Sequence, residues 1–169
     1  EITICDFGTG EATNYSLLID YFYKKGIKLL SYGMDISLSR LTVAKNLLSI
    51  ECKNNKTEFF LGDLASIPLA DNSLDISFTM CAIEPNGGKE KIILDELIRV
   101  TKNYIVLAEP IYETASDDQQ KRMRGFNYIK RLKTELYANN LVEIIHDSLF
   151  PIEIISNPNH KLTLIIARK

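Results

Sequence analysis

Residues 1–14 read EITICDFGTGEATN, and this stretch carries the strongest structural signal in the chain. Its apolar start predicts a buried strand over Glu1–Cys5, and the chain then turns at Gly8 and Gly10. Two glycines one residue apart allow a sharp turn and a close approach of the backbone to a bound molecule. A predicted helix over Asn14–Lys25 follows. A strand, a glycine turn and a helix in this order favour a site for a nucleotide-like ligand.

Working outward from this turn, strands and helices alternate through most of the chain. The predicted strands are Glu1–Cys5, Lys28–Met34, Thr57–Leu61, Leu74–Met80 and Tyr104–Ala108, and the predicted helices are Asn14–Lys25, Ser37–Ile50 and Lys89–Val100. This alternation predicts an α/β fold whose parallel sheet is covered by helices on both faces. The tail differs, because a charged helix over Asp117–Asn139 precedes two strands, Leu141–His146 and Leu162–Ala167, that have no helix between them and can pair antiparallel.

The bulk composition is that of an ordinary globular chain. With 169 residues, of which 46% are hydrophobic and 25% charged, we expect one domain over residues 1–169. The net charge of −2 gives no electrostatic reason for nucleic acid as a partner, and no apolar run is long enough to span a membrane. The chain begins inside a predicted strand, so we expect an amino-terminal segment, and part of the substrate site with it, to be missing. Composition gives no indication of oligomeric state.

The cysteines indicate the compartment. Cys5, Cys52 and Cys81 show neither metal-ligand spacing nor a pairing pattern, so no metal site is expected. An odd number of cysteines without such a pattern is typical of a reducing compartment, and the predicted localisation is cytoplasmic.

Acidic residues follow two successive predicted strands. Asp35 comes directly after the second strand, 25 residues beyond Gly10, and Asp63 follows the third strand. Ligands on open α/β sheets lie outside the carboxyl ends of the strands, where a carboxylate can accept both hydrogen bonds of a ribose diol. Asp35 is therefore expected to bind ribose, and Asp63 to accept a hydrogen bond from an adenine amino group. The structural alternatives are a carboxylate that stabilises a helix amino end at Asp35 and turn chemistry at Asp63.

Three motifs together resemble the class I S-adenosylmethionine-dependent methyltransferases, in the branch that acts on small molecules. They are DFGTG at residues 6–10, MDIS at 34–37 and GDLASIPLADNSLDIS at 62–77. The resemblance extends through the final LTLIIARK at 162–169, and it implies a Rossmann-like three-layer sandwich with a mostly parallel seven-stranded sheet whose last strand is antiparallel. The chain departs from the family where Ala12 stands in place of a third glycine and where the segment AIEPNGG at 82–88 lacks the family's frequent histidine pair. It also lacks an Asn-Pro-Pro-Tyr type sequence, which argues against methylation of nucleic-acid bases.

The resemblance implies a set of residues that bind S-adenosyl-L-methionine. Those expected along its methionine portion are Asp6, Gly8 and Gly10, and those expected at its adenosine portion are Asp35, Ile36, Asp63 and the Leu64 backbone. Met80 and Cys81, at the end of the fourth strand, are expected beside the sulfonium.

Candidates for the transfer chemistry follow the fourth and fifth strands. A hydroxyl acceptor needs a base, and Glu84 and Glu109 follow neighbouring strands, so both can face the same crevice. Partial burial would raise a carboxyl pKa and make either a better base. Tyr112 is a candidate for shaping the acceptor pocket, with aromatic packing as its alternative role. Glu113 and His146 are further candidates near the strand ends.

Arginines in the charged stretch indicate the class of acceptor. Arg122 and Arg124 can meet a phosphate or carboxylate, and if they face the crevice the acceptor is anionic or sugar-linked; the alternative is a solvated helix face. The predicted reaction is methylation of a small acceptor at oxygen. Two further readings of the whole chain stay open. One is a nicotinamide-dependent oxidoreductase, although Ala12 stands only two residues past Gly10 and residues 62–68 have no role there. The other is a non-catalytic module that keeps the cofactor fold.

Overall fold

The computed structural model describes residues 1–51, 56–150 and 161–169, and within these ranges the chain forms seven strands and five α-helices. The strands are β1 (Ile2–Phe7), β2 (Leu29–Asp35), β3 (Thr57–Leu61), β4 (Leu74–Met80), β5 (Thr101–Glu109), β6 (Glu143–Leu149) and β7 (Thr163–Arg168). The α-helices are α1 (Thr13–Lys24), α2 (Leu38–Glu51), α3 (Glu90–Val100), α4 (Asp117–Gly125) and α5 (Leu132–Tyr137). A 3₁₀ turn covers Tyr112–Thr114.

One sheet holds all seven strands in the order β3-β2-β1-β4-β5-β7-β6. The pairs from β3 through β5 are parallel, and β7 pairs antiparallel with both β5 and β6. The predicted fold, with its antiparallel last strand, is therefore confirmed. The strand order reverses between β1 and β4, and the crevice outside the carboxyl ends at such a switch point is the usual ligand site of an open α/β sheet.

Apolar side chains pack on both faces of the sheet. One cluster joins α1 and α2 to the sheet through Ile4, Tyr15, Ile19, Ala44 and Leu48. The larger cluster joins α3 and α5 to the opposite face and includes Ile93, Leu97, Ile105, Leu136 and Ile165. The result is the predicted three-layer sandwich, with buried apolar area as its main source of stability.

The tail departs from the prediction in two places. The single helix expected over Asp117–Asn139 is two helices, because the chain leaves the helical conformation at Asn127, where φ is 53°. The sixth strand begins later than predicted, at Glu143, because the Asn139 side chain accepts the Leu141 N–H at 2.9 Å and holds a turn there. Cys52 lies outside the described residues. Among the helices in the described part of the chain, none is both long and apolar enough to cross a membrane.

Candidate functional site

The glycine turn after β1 is fastened to the carboxyl end of β2. The N–H groups of Gly8 and Thr9 both donate to the Met34 carbonyl oxygen, at 2.8 and 3.0 Å. The Gly10 N–H donates to Asp35 Oδ2 at 2.9 Å. Gly8 and Gly10 have φ values of 75° and 57°, a left-handed conformation that glycine adopts without steric cost.

Asp35 has a structural role that leaves part of its capacity unused. Its side chain is buried, and while Oδ2 accepts from Gly10, Oδ1 accepts the Ser37 N–H at 2.8 Å at the start of α2. An ionised carboxylate has about four lone-pair sites, so each oxygen of Asp35 can accept one more hydrogen bond. The helix-end role and the ligand role considered from the sequence are thus compatible in one side chain.

Two cavities open at the carboxyl ends of the strands, on either side of the glycine turn. The first, of about 190 Å³, is lined by Gly8, Met34, Asp35, Ile36, Arg40, Gly62, Asp63, Leu64, Cys81, Ala82, Pro85 and Asn86. The second, of about 260 Å³, is lined by Asp6, Gly8, Thr9, Glu11, Thr13, Asn14, Tyr15, Arg40, Phe78, Met80 and Cys81. Gly8, Arg40 and Cys81 line both, so the two cavities adjoin there.

The structure brings the predicted cofactor residues to these cavities. The first cavity collects those predicted for adenosine and the second those predicted for the methionine portion, except that Gly10 lies against Arg40 rather than on a cavity wall. Asp63 Oδ1 accepts the Ala65 N–H at 2.9 Å, so Oδ2 keeps its full accepting capacity for a ligand. The Ile36 side chain is 75% exposed, which is high for an apolar residue at a cavity wall.

Asp6 places an ionisable group in the second cavity. Its side chain is buried, and burial raises its pKa to about 7; the Thr9 hydroxyl opposes this shift, and the charges of Asp35 and Glu109 add to it. A cationic ligand beside this carboxyl group would favour its ionised form and lower its pKa.

Glu84 forms an ion pair beside Cys81. Glu84 is buried, and its Oε1 lies 3.5 Å from Arg122 Nη1. Burial raises the pKa of Glu84, and the Arg122 charge opposes that shift. Burial raises the pKa of the Cys81 thiol to about 12; the charges of Glu109 and Glu84 add to this shift, and the charge of Arg122 opposes it.

The turn between α4 and α5 is packed against the loop that carries Glu84. The Ile129 N–H donates to the Glu84 carbonyl oxygen at 3.0 Å. A Cβ on Gly87 would lie only 2.0 Å from the Asn127 carbonyl oxygen, so only glycine fits this contact. Arg122 also lies 5.7 Å from the centre of the Phe126 ring, within cation–π range.

Glu109 supports the same loop from below. It is fully buried, and its Oε1 accepts the N–H groups of Ala82 and Ile83 at 3.0 and 3.3 Å. Burial raises its pKa to about 7, and these backbone donors oppose the shift. Glu109 lines neither cavity of the crevice. Its geometry is that of a residue that positions the loop after β4.

The remaining candidates lie away from the cavities. The Tyr112 hydroxyl accepts a hydrogen bond from Arg124 Nη1 at 2.8 Å, so these two predicted residues bind each other. Glu113 Oε1 accepts the Thr134 N–H at 2.9 Å. His146 lies on β6 at the sheet edge, bonded to Ser148, and is separated from β4 by β5 and β7.

Sequence reasoning missed Arg40, which lines both cavities. The available signal was its position in the first turn of α2, five residues after Asp35. A larger cavity, of about 550 Å³, lies near the amino ends of β2 and β3, and none of the predicted site residues lines it. Across the described ranges, no group of three or more His, Cys, Asp or Glu side chains is arranged to hold a metal ion.

Comparisons with known proteins agree with this geometry. A family model described as a methyltransferase domain matches residues 1–148. A SAM-dependent methyltransferase from Methanosarcina mazei is similar in structure, with a TM-score of 0.74 and 19% identity over 100% of this chain and 92% of that one. Magnesium protoporphyrin IX methyltransferase from Synechocystis PCC 6803, with bound SAH, is similar with a TM-score of 0.75 and 14% identity, over 99% of this chain and 74% of that one. The [4+2]-cyclase SpnF is similar with a TM-score of 0.74 and 14% identity, over 99% of this chain and 75% of that one.

Proposed function

The chain belongs to the methyltransferase domain family, and on that premise we propose that it is an S-adenosylmethionine-dependent methyltransferase acting on a small acceptor. The observation that carries this proposal is the pair of adjoining cavities, with Asp35 and Asp63 on one and Asp6 on the other. These carboxyl groups fit the cofactor because they accept hydrogen bonds, whereas the ribose hydroxyls, the adenine amino group and the ammonium group of the amino-acid end donate them.

The first cavity would hold adenosine. The remaining lone pairs of Asp35 would accept the ribose hydroxyls while its other bonds keep the glycine turn in place. Asp63 Oδ2 would accept from the adenine amino group, beside the Leu64 backbone. Adenine would cover the exposed Ile36 side chain, which removes apolar surface from water.

The second cavity would hold the methionine portion. Asp6 would face the ammonium group, and binding of that cation would favour the ionised form of a carboxyl whose pKa burial raises to about 7. Met80 and Cys81 would pack beside the sulfur. The Cys81 thiol stays protonated at neutral pH and is thus no competing nucleophile, since its pKa is about 12.

The bound cofactor supplies an activated methyl group, and the chain positions the nucleophile in line with it. We assign the acceptor side to the ion pair of Glu84 and Arg122, which lines neither cavity but involves the loop that begins at Cys81, a residue on the wall of both. Arg122 would bind an anionic or sugar-linked group of the acceptor, and Glu84 would take the proton from its hydroxyl. Glu109 would act on the acceptor indirectly, through the loop after β4 that it supports. Tyr112, which accepts a hydrogen bond from Arg124, would help to shape the acceptor pocket.

The oxidoreductase reading lacks support from the family match. The non-catalytic reading needs a direct test, because a fold hosts many chemistries and a [4+2]-cyclase shares this one. We expect S-adenosylhomocysteine to raise the melting temperature and NAD to leave it unchanged. Transfer of a labelled methyl group to an acceptor from a panel of hydroxylated acids and sugar phosphates would then establish catalysis. Tight cofactor binding without transfer to any acceptor would favour the non-catalytic module.

Single variants sharpen this test. Asp35→Asn and Asp63→Asn should each weaken S-adenosylhomocysteine binding about tenfold or more, since each removes a charged acceptor. Glu58→Gln, an exposed change on β3, is the matched control and should bind as the wild type does. Equal binding by all four proteins would contradict the proposed site.

A further inference from the structure

Arg40 is the one cationic residue among the described residues that line the two cavities. Four carboxyl groups line the same walls: Asp6, Glu11, Asp35 and Asp63. This imbalance suits a ligand with more positive than negative charge. S-adenosylmethionine has that character, because its ammonium and sulfonium groups are positive and only its carboxylate is negative.

The Arg40 guanidinium lies directly on the glycine turn. A Cβ built on Gly10 would lie 2.5 Å from Arg40 Nη2, so the absence of a side chain at Gly10 makes room for the guanidinium. In the described part of the chain, its side chain makes no hydrogen bond or ion pair, and the residue is exposed. Its five donor hydrogens are therefore available to a ligand at the junction of the cavities.

The second cavity offers a further anion-binding feature beside Arg40. Thr13, Asn14 and Tyr15 from the first turn of α1 line it, and Ala12 at the helix start provides no side-chain cap. That turn contains no acidic residue. The first amide groups of a helix lack intrahelical partners and, with the helix dipole, favour a negative charge.

We infer that Arg40 binds the carboxylate at the amino-acid end of the cofactor, closing over it from α2 while the amino end of α1 approaches from the other side. This inference rests on the proposed function. It makes Arg40 a determinant of cofactor specificity, because it would favour ligands that keep the carboxylate over nucleosides that lack it. In this arrangement, carboxyl groups bind the cationic and hydroxyl parts of the cofactor, and Arg40 binds its carboxylate.

The test compares two probes by calorimetry on the intact chain. S-adenosylhomocysteine carries the carboxylate, and 5′-methylthioadenosine keeps the adenosine and sulfur without any amino-acid end. For Arg40→Met we expect S-adenosylhomocysteine to bind roughly tenfold to a hundredfold more weakly and 5′-methylthioadenosine to bind unchanged, as befits a lost charged hydrogen bond. Arg40→Lys should recover part of the loss, because the charge remains without the fork.

Lys45→Met, an exposed charge change on the same helix, is the control and should leave both affinities unchanged. Equal weakening of both probes would assign Arg40 to the nucleoside and overturn the inference. Unchanged or tighter binding of S-adenosylhomocysteine would overturn it as well, the latter showing that Arg40 obstructs the site. If the wild type binds neither probe, the proposed function fails first, and the inference fails with it.

Discussion

Gly8 and Ala82 pack against each other where the loops after β1 and β4 meet, and a Cβ on Gly8 would lie 2.3 Å from the Ala82 Cβ. Real Cβ atoms do not approach so closely, so this contact requires glycine for its lack of a side chain as well as for its φ of 75°. The contact therefore fixes the distance between the two loops that border both cavities.

Gly8→Ala should combine steric overlap with backbone strain and destabilise the fold by about 3 kcal/mol or more. Gly88→Ala is the matched control, because Gly88 also has a positive φ, of 80°, but a Cβ there would meet nothing within 4 Å. It should cost only about 1–2 kcal/mol. Urea unfolding of both variants measures the difference. Adding Ala82→Gly to Gly8→Ala should recover the steric part, and no recovery would contradict the proposed contact.

Arg99 holds the segment that follows Asp63. Its Nη1 and Nη2 donate to the carbonyl oxygens of Leu69 and Ile67 at 2.8 and 2.9 Å, and Nε donates to Glu96 at 2.7 Å. Arg99→Met should lower the free energy of unfolding by about 2–3 kcal/mol and weaken binding at the adenosine side, because two carbonyl groups lose their donors. Denaturation and calorimetry give the two readouts.

Arg99→Lys should restore little, because one ammonium cannot reproduce the fork of bonds. Arg168→Met, which removes an exposed ion pair with Glu143, should leave the unfolding midpoint unchanged. Full recovery by lysine would show that charge alone, and not the bond geometry, stabilises this segment.

Asp6 predicts a pH dependence of cofactor binding. Its pKa of about 7 means that the carboxyl loses its proton between pH 6 and pH 8. Affinity for S-adenosylhomocysteine should rise by about tenfold across this range, because the ionised form attracts the ammonium group. Calorimetry at several pH values measures the rise. It should be absent for Asp6→Asn, and also for 5′-methylthioadenosine, which has no ammonium group; a rise that persists in Asp6→Asn would exclude Asp6 as its source.

Glu109 predicts a pH dependence of stability. Its pKa is about 7 in the folded protein and close to 4.3 in an unfolded chain. Between these values the folded protein holds a proton that the unfolded chain has lost, so this stabilisation is complete at low pH and is lost as the pH rises through 7. Glu109→Gln keeps an oxygen for the Ala82 N–H and has no charge. Its stability relative to the wild type should improve by roughly 1–3 kcal/mol between pH 5 and pH 8.

Chemical denaturation at the two pH values measures this change. Glu58→Gln, on an exposed stretch of β3, should follow the wild type at both values. Parallel pH profiles for Glu109→Gln and the wild type would show that Glu109 does not titrate in this range.

The sheet was predictable because its signals are local. Apolar runs and glycine turns recur in order along the chain, and the rule that parallel strands end at one edge places Asp35 and Asp63 on one cavity without knowledge of side-chain contacts. The break between α4 and α5 was not predictable in this way. Asn127 turns the chain there with a φ of 53°, and its carbonyl oxygen packs against Gly87, a contact between segments 40 residues apart along the chain.

The same limit applies to the site. Arg40 occurs in the sequence as one more charged residue of a helix, and only the folded chain shows its guanidinium on Gly10. Glu109 was predicted as a base because it follows the predicted strand Tyr104–Ala108, but the bonds that Oε1 accepts from the N–H groups of Ala82 and Ile83 indicate a supporting role. Pattern reasoning finds which residues reach the crevice, whereas their bonding partners there depend on tertiary packing.

The turn from Gly125 to Arg131 touches the loop after β4 through Gly87 and Glu84, and it shares no residue with the walls of the two cavities. If the acceptor lies at Glu84 and Arg122 as proposed, mutations in this turn would alter the choice of methyl acceptor and leave the residues that face adenosine unchanged. Under the same proposal, acceptor preference and cofactor affinity would respond to separate sets of substitutions, so one could change without loss of the other.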